Sequence, residues 1–151
     1  MTHPRGSFRE LLLAALLGGA VASAVVGLVL TRRDGPSPRA WKEQSVAELL
    51  GPVDAQLRHT RRAFERDDRE TLRAGNEAIR GLLLLRSHLI PPELRADADA
   101  LVEHYDLWLA TYAEQRGDAG PVGPIDIAFP TEAGRRFSDT FQRYVSELYG
   151  Q

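Results

Sequence analysis

Leu94 to Tyr112 reads LRADADALVEHYDLWLATY. Its apolar positions, Leu94, Ala98, Leu101, Tyr105, Trp108 and Tyr112, recur at spacings of 4, 3, 4, 3 and 4. That is the 3.6-residue period of an α-helix with one buried face. Val102 and Leu109 widen the stripe. A face this broad needs other helices to cover it, so the stretch predicts an all-α domain.

The sequence on either side supplies those helices. Pro91-Pro92 end the preceding one, which carries Leu72, Ile79, Leu82 and Leu83. Asp67-Asp68 read as a turn and N-cap for it, with Glu70 in its first turn. Before that, Val53, Leu57, Thr60 and Phe64 share one helical face, and Pro52 suits a first turn, where its missing N–H would be unpaired anyway. Arg39 to Leu50 forms a further helix that Gly51 should end. Downstream, three glycines and three prolines in Gly117 to Pro130 (GDAGPVGPIDIAFP) exclude a helix. Thr131 then caps a last helix, on which Phe137, Phe141, Tyr144 and Leu148 face inward and which Gly150 ends. The sum is a small antiparallel bundle of about four helices over residues 39–151.

Leu11 to Leu30 (LLLAALLGGAVASAVVGLVL) differs from the rest in having no charge, no proline and one hydroxyl, Ser23. Twenty residues make a helix of about 30 Å, the thickness of a bilayer's hydrocarbon core. This predicts a single-pass transmembrane helix at 11–30, preceded by a short tail at 1–10 and followed by a breaker-rich linker at 31–38. Arg32, Arg33, Arg39 and Lys42 after it outnumber Arg5 and Arg9 before it, which favours a cytoplasmic bundle. The alternatives are an extracytoplasmic bundle, or secretion after signal cleavage near Ala22-Ser23-Ala24. Ala15, Gly19, Ser23 and Gly27 recur every four residues, a small-residue stripe that would let two membrane helices approach as a homodimer.

Arg5, Arg9, Arg32, Arg33 and Glu10 lie before Asp34, which leaves 15 basic and 20 acidic residues from there on, a net charge of −5. Such a domain lacks the basic face that nucleic acid requires. The chain has no cysteine, so disulfides and thiolate metal sites are excluded. No HExxH, phosphate loop or GxSxG occurs. His59, His88 and His104 fall on separate elements, and Glu103-His104-Tyr105-Asp106 fan out about 100° apart on a helix, with Tyr105 inward and the others as its polar flank. Neither set makes a catalytic or metal site, and no cofactor is expected. Arg58 to Arg73 forms the densest basic tract, but interspersed acids, with Arg66 and Glu70 at salt-bridge spacing, read as a solvated face.

One segment stands apart. Ile125, Ile127 and Phe129 are strongly apolar for a loop and alternate with Asp126 and Ala128 as an extended piece would. They either dock on the bundle or meet a partner, and docking is the expectation because exposed apolar runs are unfavourable. The functional expectation is a membrane-anchored interaction module that recruits or regulates a protein partner. The alternative is an extracytoplasmic ligand-binding or sensor domain on the same anchor.

Overall fold

The computed structural model describes residues 35–117 and 122–150. The expected membrane helix lies outside them, as do Ala15, Gly19, Ser23, Gly27, Arg32 and Arg33. Among the described residues no helix is long and apolar enough to cross a membrane, and there is no strand. Pro38–Gln151 forms one compact unit.

The helices are α1 (Pro38–Ser45), α2 (Gly51–Glu65), α3 (Arg69–Leu85), α4 (Arg95–Gly117) and α5 (Thr131–Tyr149). Gly51 does not end a helix as expected. A π-helical turn, Val46–Leu50, joins α1 to α2, with Leu50 and Gly51 both in right-handed helical conformation. Pro52 explains the wide turn. An interior proline lacks a donor, and its ring clashes with the carbonyl four residues back. Here the Gly51 N–H bonds to the Val46 carbonyl, five residues back, which widens the helix just before the proline and lets it continue. Gly51 suits the tight place: a Cβ there would lie 2.9 Å from that carbonyl oxygen and 3.3 Å from the Phe141 ring. The result is one rod from Pro38 to Glu65, so the bundle has about four rods.

The expected reversal at Asp67-Asp68 is present. Asp67 adopts φ 55°, which aspartate tolerates better than most residues, and the Asp68 N–H reaches the Ala63 carbonyl at 2.9 Å to close α2. The Asp68 side chain then caps α3 by accepting from the Thr71 N–H at 3.0 Å and its hydroxyl at 2.6 Å. Pro91-Pro92 break the chain between α3 and α4 as read, within two short 3-10 turns. Gly150 ends α5 at φ 69°. Thr131 does not cap α5: Pro130 holds the cap position, and the Thr131 hydroxyl turns back to the Phe129 carbonyl at 3.3 Å.

Leu94, Ala98, Leu101, Tyr105, Trp108 and Tyr112 are all buried, and Val102 and Leu109 half-buried. Leu101 and Tyr105 meet Leu49, Val53, Ile79, Leu83 and Phe137 in the main core. Trp108 and Tyr112 form a second cluster with Ala63 and Leu72. Each such side chain contributes on the order of 1.5–3 kcal/mol on burial. Phe64 breaks the expected pattern, at 74% exposed. Ala63 takes the inward place, and its neighbour on a helix points about 100° away. The Ser87–Leu89 turn is tied to the first rod by Ser45 Oγ, which donates to the Leu89 carbonyl at 2.9 Å, and by Trp41 Nε1, which donates to the His88 carbonyl at 3.4 Å.

Where α2 crosses α3, Gly75 faces Thr60, and a Cβ on Gly75 would overlap Thr60 Cγ2. The Thr60 hydroxyl is bonded to the Gln56 and Leu57 carbonyls at 3.0 and 3.1 Å, so the methyl cannot rotate away freely. Gly→Ala within a helix usually stabilises by about 0.5–1 kcal/mol. Here Gly75→Ala should instead lower stability by about 1–3 kcal/mol through overpacking. Adding Thr60→Ser, which removes the methyl, should recover most of the loss. Thermal unfolding of the two variants checks both halves, and a more stable Gly75→Ala protein would refute the close crossing.

Candidate functional site

Three surfaces carry the chemistry on offer. The first is the segment before α5. Val122, Ile125 and Ile127 are half-buried and pack on the Trp108–Tyr112 cluster, while Asp126 and Ala128 face outward. Arg69 holds the start of the segment by donating to the Gly123 carbonyl at 2.9 Å. Phe129 behaves differently from the two isoleucines. It is 41% exposed, yet its ring meets His104 edge-on, with centroids 5.2 Å apart, and lies 3.1–3.2 Å from where a Cβ on Gly134 would stand. The absent side chain of Gly134 therefore makes room for the ring.

His104 is the residue that sequence reasoning misplaced. It is buried rather than part of the polar flank, between Tyr105 and Phe129. A helical position beside an inward tyrosine can still be covered when a loop packs over it, and residues 122–130 supply that cover. Burial lowers the imidazole pKa, against a smaller opposite pull from the Ala128 carbonyl, and Nδ1 has no hydrogen-bond partner. Burial also raises the Tyr105 phenol, whose hydroxyl is likewise unpartnered. Glu103 and Asp106 are exposed, so the tetrad does not converge. His59 and His88 are exposed on other elements, and among the described residues no group of three or more His, Asp or Glu is placed to hold a metal.

The second surface is a charged network at the Gly117 end of α4. Glu70 accepts from Arg73 at 2.7 Å, the Tyr112 hydroxyl at 3.0 Å and Arg116 at 3.2 Å. The Arg73 bond, then that of Tyr112, holds the Glu70 carboxyl below its usual range. Arg73 also binds Glu77 at 2.7 Å. The expected Arg66–Glu70 pair is not among these contacts, because the turn at Asp67-Asp68 puts the two residues on different helices. With its carboxylates already bonded to arginines, the network reads as a structural clamp on a solvated face.

The third surface is a groove of about 410 Å³ between the end of α3 and the middle of α4. Leu84, Ile90, Val102 and Leu107 line it, with Asp99, Glu103 and Asp106 along its α4 side. Leu84 is 48% and Leu107 54% exposed. Sequence reasoning did not single these residues out, although a signal exists: Leu82 to Leu85 is a run of four leucines, and a helix cannot bury four consecutive side chains on one face.

Comparison of the chain with protein-family models, with curated proteins and with solved structures gave no match. The functional reading therefore stands on these surfaces.

His104 makes the fold acid-sensitive. Its folded pKa lies below the ordinary value of 6.5, so the unfolded chain binds the proton more readily and stability falls as the pH drops through that value. The depressed carboxylates of Asp68, Glu70, Glu132 and Glu147 act in a lower window, since their ordinary values are 3.8 to 4.5. The melting temperature should fall between about pH 7.5 and pH 5.5. In His104→Gln that slope should flatten, whatever the variant's absolute stability. An unchanged slope would assign the acid sensitivity elsewhere.

Proposed function

We propose that this chain is a membrane-anchored helical module that presents the α3–α4 groove to a protein partner. The observation that carries the proposal is the exposure of Leu84 and Leu107 in one groove, rimmed by charge. Contiguous apolar surface with a polar rim is what a soluble fold normally buries, and where it stays open it marks an interaction surface. Ile125 and Ile127 are less suited to that role, because the Trp108–Tyr112 cluster already covers one side of each.

The anchor is proposed on the sequence of Leu11 to Leu30, and a cytoplasmic bundle on the Arg32 and Arg33 flank. Tethering would suit a weak groove. Confinement to the membrane raises the effective concentration of the module near a partner in the same bilayer, so modest affinity suffices.

A photo-cross-linking residue in place of Leu107, in the full-length chain, tests the reading in native membranes. It should yield a discrete protein adduct that Leu84→Asp abolishes and Phe64→Ala leaves intact. Because Leu84 is exposed, its substitution should change stability by no more than about 0.5–1 kcal/mol, which thermal unfolding verifies. Adducts to lipid alone, or a protein adduct indifferent to Leu84→Asp, would contradict the proposal.

A further inference from the structure

We infer that the occupant of the α3–α4 groove is a short, basic amphipathic helix of the partner. The inference rests on the interaction-module reading and adds the chemistry of what binds. The end of α3, the connection after it and the middle of α4 together line a groove of the kind that accepts a further helix laid along α4. Asp99, Glu103 and Asp106 lie 4 and 3 residues apart, so they run as a stripe down one wall of α4 for about 10 Å. That is about two helical turns, and it sets the length of the element that fits.

Among the described residues only part of that wall's charge is paired. Asp106 is bound by Arg80, but Asp99 and Glu103 have no hydrogen bond or ion pair among the described residues. Elsewhere on α3, α4 and α5 carboxylates are commonly held by arginine, as Glu70, Glu77, Asp97, Glu132 and Asp139 are. Open carboxylates beside exposed leucines call for a ligand with apolar side chains at i, i+4 and i+7 and Lys or Arg beside them. Each rim pair would contribute modest affinity and more to orientation and partner choice. The same wall repels anionic lipid headgroups, which makes a membrane surface a poor occupant.

A second copy of the chain is the competing occupant, since the end of α2 and the turn after it carry exposed Arg61, Arg62 and Arg66 around Phe64. That tract sits at the turn joining α2 to α3, whereas Leu84 lies 15 residues along α3, about 22 Å away. Glu65, Asp67 and Asp68 are interspersed with its arginines, so the tract is of mixed charge and complements the acidic wall less well than a purely basic helix does. The observations therefore favour a separate partner.

The test uses the full chain in lipid nanodiscs and two labelled helical peptides. Both carry leucines at i, i+4 and i+7, one with Lys and Arg flanks and the other with Glu. By fluorescence anisotropy the basic peptide should bind at least about tenfold tighter than the acidic one, and Leu107→Glu should weaken it by at least about tenfold. The double variant Asp99→Lys, Glu103→Lys should reverse the preference while keeping the wild-type melting temperature. Equal binding of the two peptides, no binding, or indifference to Leu107→Glu would overturn the inference. So would a concentration-dependent dimer abolished by Phe64→Ala, which would name the second copy as occupant. Should the Leu107 protein adduct persist while the basic peptide shows no preference, only the charge class falls. Loss of both would end the interaction-module reading as well.

Discussion

Pro52 sits in the middle of a helix, where its ring cannot accept the carbonyl of residue 48 at the α-helical distance. The π turn at Val46–Leu50 resolves that conflict, and much of the molecule depends on it. With the wider turn, Ser45, Leu49, Leu50 and Val53 all reach the interior. Ser45 then holds the Leu89 carbonyl, which fixes the connection from α3 to α4. That connection carries Ile90, one end of the groove. The shape of the candidate site therefore traces back through one hydrogen bond to a proline on another rod.

The residues that hold the fold are separate from the groove proposed for recognition. Leu101, Tyr105, Ile79 and Phe137 hold the main core, and the polar clamp around Glu70 is tied to the second cluster through Tyr112. Leu84 and Leu107 belong to neither. They sit on the same helices as core residues but are exposed. Residues 122–130 show the opposite logic. That stretch looks like an exposed apolar run in sequence, yet the second core cluster takes up Ile125 and Ile127, and His104 with Gly134 accommodates Phe129.

Much of this architecture was legible in the residues. The period of 94–112, the Asp67-Asp68 reversal, the Pro91-Pro92 break and the Gly150 terminus each follow from local rules of spacing, capping and backbone conformation. What was not legible depends on the third dimension. Gly51-Pro52 has the composition of a helix break, and only the wider turn and the place of Gly51 against Phe141 let the helix run through it. Phe64 and Ala63 compete for one inward place, and Ala63 takes it. His104 is buried because a loop distant in sequence covers it. The groove needed both the four-leucine run on α3 and the off-stripe Leu107 on α4 to be placed side by side.

If a partner occupies the α3–α4 groove, that surface is covered in the cell and open in the isolated protein. The chain contains no cysteine, so a single thiol introduced by Leu107→Cys reports directly on that surface. Its labelling rate by a thiol reagent should be fast in purified full-length protein and markedly slower in native membranes opened to the reagent. A thiol introduced by Phe64→Cys, at the other end of the α2–α3 hairpin, should label fast in both. Equal rates at Leu107→Cys in the two settings would contradict the account.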